Sequence, residues 1–215
     1  MIISFIAIPG AGKSTQIALL ESSGVLEDAI AVSIPSLYRN GSKIVAFLTE
    51  DEKYKILQVK EESDSARMEG ILAPFVLDEI VFSLAYRLHS MGKTVLMDGC
   101  PRGVPQAKLF LSGLNFEQRC QYKIIELVFP QDEITHSQTR QYNRVLKSHV
   151  EETEEAKLKI AKIPTKTSLF ISETRQGLNY LKAEGISVIS INATSKVTDI
   201  HKDVLFNIMH VQGEF

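Results

Sequence analysis

An apolar run from Ile2 to Ile8 leads directly into Pro9-Gly10-Ala11-Gly12-Lys13-Ser14-Thr15, and helix formers follow as far as about Ser22. This strand, small-residue loop and helix in immediate succession is the feature that most limits what the chain can become. A backbone that curls with its N–H groups inward around a polyphosphate needs small residues, a mobile positive charge and a hydroxyl. Lys13 supplies the charge, and Ser14 supplies a hydroxyl suited to a magnesium ion. The helix that starts at Ser14 aims its positive dipole end at the same anion. One position departs from the strict GxxxxGK[ST] spacing, because Ala7 stands where the first glycine is written. The pattern predicts that Pro9, Gly10, Ala11, Gly12, Lys13, Ser14 and Thr15 hold a nucleoside triphosphate or something close to it, with Ser14 toward Mg2+. A glycine-rich turn without a ligand is the alternative.

Four further short apolar runs read as buried parallel strands: Ala29–Ser33, Thr94–Met97, Lys123–Phe129 and Ile186–Ile191. Segments with helical spacing separate them: Ala73–Met91, Pro105–Ser112, Gln131–Lys147, Glu151–Glu184 with an interruption at Pro164, and Val197–Met209. Strands alternating with helices predict an α/β fold with a five-stranded parallel sheet. Two stretches, Ser36–Gly70 and Val145–Glu155, read as inserts around a site, and no internal repeat is present. At 215 residues, one domain spanning 1–215 with inserts is expected.

A net charge of −2 gives no electrostatic case for nucleic acid or an anionic membrane as the main partner. Two cysteines, Cys100 and Cys120, make neither a disulfide framework nor a metal cluster. The N-terminus lacks a charged region ahead of its apolar run, and no apolar run approaches a membrane span. A soluble, cytoplasmic protein is expected.

A second motif narrows the chemistry. The run Thr94–Met97 ends in Asp98, a carboxylate placed to hold a magnesium ion's water shell, although Asp98 alone would also serve as a helix N-cap. Asp98-Gly99-Cys100-Pro101-Arg102 follows, then Gln106 four residues beyond the arginine. In these residues, with Pro9–Gln16, the chain resembles the nucleoside monophosphate kinases, and adenylate kinase in particular. Gly70-Ile71-Leu72-Ala73-Pro74 resembles a turn of that family, and Arg140 and Arg144 sit where the family has an arginine pair; a solvated helix face is the other reading of that pair. The resemblance implies a P-loop NTPase three-layer fold, with residues 34–72 as the acceptor-binding insert and 145–155 as a short lid. It makes Lys13, Arg102, Arg140 and Arg144 catalytic, with Arg140 and Arg144 also beside the donor nucleotide. Arg39, Leu72, Gly99, Arg102 and Gln106 become the acceptor-binding set, and Ser14 and Asp98 the magnesium set. Gln106, whose amide pairs a donor with an acceptor, selects AMP in this reading. The implied reaction is ATP + AMP to two ADP, by a monomer.

The chain also departs from the family. Its lid would carry arginines at His149 and Ile160, and both are missing while Glu151 and Glu152 keep the acidic character. Lys147, Lys157, Lys159 and Lys162 lie nearby, but lysine lacks the bidentate fork. Ile34-Pro35 replaces the family's Thr-Gly. Two alternatives therefore stay open: a catalytically impaired nucleotide-binding sensor, and a kinase for another small phosphate acceptor.

Overall fold

The computed structural model describes residues 1–39, 41–69, 71–148 and 153–210. Five strands, β1 (Ile2–Ala7), β2 (Ile30–Val32), β3 (Val95–Asp98), β4 (Tyr122–Val128) and β5 (Ser187–Asn192), form one sheet in the order β2-β3-β1-β4-β5. Every pairing is parallel. All six residues of β1 are buried, because a central parallel strand is covered on both faces and can carry no polar stripe. Even Ser4, the polar exception, is buried and accepts a hydrogen bond from the Tyr122 hydroxyl at 2.8 Å.

The helices are α1 (Lys13–Ser23), α2 (Ile34–Tyr38), α3 (Glu50–Gln58), α4 (Lys60–Glu69), α5 (Phe75–Ser90), α6 (Val104–Ser112), α7 (Phe116–Gln121), α8 (Glu133–Ser148), α9 (Glu154–Ala161), α10 (Ile163–Leu169), α11 (Arg175–Ala183) and α12 (Val197–His210). A π-helical turn, Phe170–Thr174, joins α10 to α11 without a loop. The helical run after residue 153 breaks at Lys162, which ends α9 and begins α10. Pro164 then falls in the first turn of α10, where its missing N–H would have had no helical partner.

The stretch between β2 and β3 is more ordered than its weak periodicity suggests. It holds α2, a 3-10 turn at Lys43–Phe47, α3 and α4. Glu52 closes a capping box with Thr49 and also receives both Nη atoms of Arg87 on α5, which ties this insert to the main body. Among the described residues, no helix is long and apolar enough to cross a membrane.

The order of the strands sets where a ligand can enter. From β1 the chain runs to β2 at one edge, and from β3 it runs back across β1 to β4. The segments that follow β1 and β3 therefore part at the carboxyl ends of the strands and leave a crevice there.

Candidate functional site

A cavity of about 360 Å³ fills that crevice, within the usual size range of small-ligand sites. Its floor is the loop after β1. Gly10 holds φ = 88°, and a Cβ there would stand 2.9 Å from the carbonyl oxygen of Ser137, so only glycine lets the loop pass α8 this closely. Gly12, at φ = 103°, caps α1. The loop is clipped from behind: Ser137 Oγ donates to the carbonyl of Pro9 at 2.7 Å, and Gln141 Nε2 reaches Ser137 Oγ at 3.2 Å and Thr167 Oγ1 at 3.4 Å. The loop after β1, α8 and α10 are thereby fixed to one another at the cavity.

Asp98, at the carboxyl end of β3, is the carboxylate of the site. Ser14 Oγ donates to its Oδ2 at 2.7 Å, and Lys13 Nζ lies 3.5 Å from Oδ1. The side chains that the sequence assigns to phosphate and to magnesium thus meet at one point. A hydroxyl and a carboxylate side by side are hard oxygen donors, and Mg2+ keeps most of its waters and takes only one or two protein oxygens beside phosphate. The pair suits that ion.

Of the residues expected from sequence, Pro9, Gly10, Lys13, Ser14, Leu72, Asp98, Gly99, Arg102 and Arg144 line the cavity. Ala11, Gly12 and Thr15 belong to the loop or the start of α1 without lining it. Arg102 is oriented by its own Nε, which donates to the Gly99 carbonyl at 3.0 Å. Its backbone is pressed by α11: a Cβ on Gly177 would lie 2.7 Å from the Arg102 carbonyl oxygen, so the segment and the helix meet backbone to backbone.

Three of the expected residues do not line the cavity. Gln106 is buried and does not line the cavity. Its Oε1 accepts from the backbone N–H groups of Arg102 at 2.6 Å and Gly103 at 3.2 Å, and its Nε2 donates to Asp78 Oδ2 at 2.6 Å. The amide that was to read adenine is committed inside the protein. Arg140 also stays out of the wall, with its guanidinium 4.9 Å from the ring centre of Phe129. Arg39 is exposed at the end of α2, outside the lining.

The lid residues His149, Val150, Glu151 and Glu152, like Gly70 of the Gly70–Pro74 turn, lie outside the described residues. Ile160 is half-buried on α9 and does not line the cavity. Lys157 and Lys159 pair with Glu154 and Glu155 on the surface of α9. The cation that sequence reasoning missed is Lys166, on α10, which lines the cavity with Gln141, Arg144 and the π-turn residues Phe170 and Thr174. Its signal in the sequence was weak, one lysine among several between 157 and 166.

No family model matches the chain, and no curated protein matches it significantly. The family resemblance therefore rests on the residues quoted above.

Proposed function

We propose that the chain is a phosphotransferase of the P-loop type, closest in kind to the nucleoside monophosphate kinases, which moves the γ-phosphoryl group of ATP to a monophosphate acceptor. The observation that carries this reading is the meeting of Lys13, Ser14 and Asp98 in one cavity with Arg102, Arg144 and Lys166. Phosphoryl transfer asks little covalent work of a protein. It asks for two anions held in line and for positive charge around the group in flight.

In this reading the loop and Lys13 hold the donor's phosphates. Arg102 holds the acceptor's phosphate, and Arg144 and Lys166 face the transferring group across the cavity. A phosphate oxygen of the acceptor forms the new bond to the γ-phosphorus as the bond from that phosphorus to the β,γ-bridging oxygen breaks, leaving a diphosphate on the donor. No general base is needed, since the attacking oxygen is already anionic. Ser14 and Asp98 would hold Mg2+, which supplies neutralisation of phosphate charge when bound.

Lys13→Ala tests the reading. Lys13 is half-exposed and packs over Gly99 rather than in the core, so the variant should fold. Coupled ADP formation should fall by at least about 10²-fold, the scale of losing one charge-stabilising group, with an unchanged circular dichroism spectrum. A variant as fast as the wild type would remove the loop from the mechanism.

A further inference from the structure

One stretch of the cavity lining, built from the insert after β2, has a chemistry of its own. Ile34 and Pro35 of α2, with Ile71, Leu72 and Ala73 ahead of α5, make it apolar. Ser33 and Ser63 carry the hydrogen-bonding side chains on that wall. The Ser33 hydroxyl is committed to the cap of α2, accepting from the Ser36 N–H at 3.2 Å and donating to Ser36 Oγ at 3.1 Å, and Ser63 is buried. A serine hydroxyl also rotates between donor and acceptor and so fixes no one base edge, whereas an amide holds its donor and acceptor fixed in space. The one amide placed near this wall by sequence, Gln106, is turned inward, with both acceptor positions of Oε1 filled by the N–H groups of Arg102 and Gly103. Its Nε2 is held by Asp78, whose other oxygen, Oδ1, is buried without a partner among the described residues. Turning Gln106 outward would strip Asp78 of its only hydrogen bond among the described residues and take this acceptor from the N–H groups of Arg102 and Gly103.

We infer that this half of the cavity selects its ligand by a phosphate and by apolar bulk, without a side-chain reading of the base edge, and that Gln106 is a positioning residue for Arg102. The inference rests on the proposed function for the identity of the reaction, but base selectivity is a separate property and is measured separately. Shape alone in an apolar pocket discriminates by roughly 10- to 200-fold, whereas a site built to hydrogen-bond its substrate rejects analogues by about 10⁴–10⁵.

The experiment is a panel of AMP, GMP, CMP and UMP as acceptors with Mg-ATP, in wild type and Gln106→Ala, with calorimetric titration of each monophosphate alongside. The expected result is a spread of kcat/KM within about 200-fold across the four. Gln106→Ala should then raise the acceptor KM by a common factor for all four and leave the ATP KM unmoved. A general loosening of the fold would move both KM values. A preference above about 10³ for one base, or a Gln106→Ala loss confined to AMP, overturns the inference. The wild-type panel decides the question even if the variant does not fold. If no monophosphate is phosphorylated, the proposed reaction fails, and the titrations still speak: comparable affinities uphold the inference, while strong preference for one base, or no binding at all, overturns it.

Discussion

The carboxyl of Asp78 lies in α5 with no exposed surface, and its hydrogen bond to Gln106 is the one that orders the Arg102 segment. Burial pushes its pKa up from 3.8 to about 6, against the pull of the Arg102 charge and of the Gln106 hydrogen bond. Between those two values the folded protein holds a proton that the unfolded chain has released, so stability falls as pH rises through that window and stays reduced above it. Asn at this position accepts the same bond from Gln106 and never ionises. Asp78→Asn should therefore be more stable than wild type at pH 7.5, by on the order of 1–3 kcal/mol, and the difference should close towards pH 4. Urea unfolding of both proteins at the two pH values checks this, and a gap independent of pH would count against it. The same residue explains why the role of Gln106 was illegible in the sequence. The carboxylate that takes the Gln106 amide stands 28 positions away in the chain, and only the packing of α5 against α6 brings the two together.

At the scale of elements, α8 and α10 act as a unit, because Gln141 joins Ser137 behind the loop after β1 to Thr167 next to Lys166. Under the proposed function, that linkage makes Lys166 the cation to test in place of lid arginines. Lys166→Met should lower kcat by about 10²–10³-fold with little change in the KM for ATP, and Lys166→Arg should retain most of the rate. Adding Ile160→Arg to Lys166→Met should restore nothing, since Ile160 stands on α9 outside the wall; recovery of kcat would show that α9 closes over the site. The strands were legible as short runs rich in apolar and β-branched residues set between segments of helical spacing, even where Ser4, Lys123, Glu126 or Ser190 interrupts them. The convergence of the loop, Asp98 and Arg102 on one cavity was legible because the motif that links them uses fixed residue types at fixed spacing. The helices α3 and α4 were not, since the insert packs through few apolar positions: Ile56 in α3 and Ala66 in α4 are buried beside Glu52 and Ser63. Lys166 was missed for a geometric reason. Residue spacing from a lid does not tell how α10 packs on α8, and that packing brings Lys166 to the cavity.

For the whole molecule, the cavity is lined by segments far apart in the chain: the end of β1, the α2–α4 insert, the end of β3, α8, and α10 with its π-turn. Nothing covalent joins them at the cavity, so a polyphosphate that touches several of these segments should resist their separation on unfolding. Binding to the folded state alone stabilises by RT ln(1 + [L]/Kd), about 2.7 kcal/mol at a hundredfold excess over Kd. For a chain of this size, each kcal/mol moves the melting temperature by roughly 2–4 °C. Mg-ATP at that excess should thus raise the melting temperature by about 5–10 °C. Lys13→Ala at the same concentration should show little of the shift, because the charge that faces the phosphates is gone while the fold persists. Arg102→Ala should keep the ATP shift and lose the further increment from an added monophosphate, since its guanidinium is held at the Gly99 carbonyl after β3 rather than by the loop after β1. Differential scanning calorimetry over a ladder of ATP and monophosphate concentrations separates these cases. A wild type whose melting temperature does not move with Mg-ATP at any concentration would dispose of the nucleotide reading at its root, before any question of acceptor or rate arises.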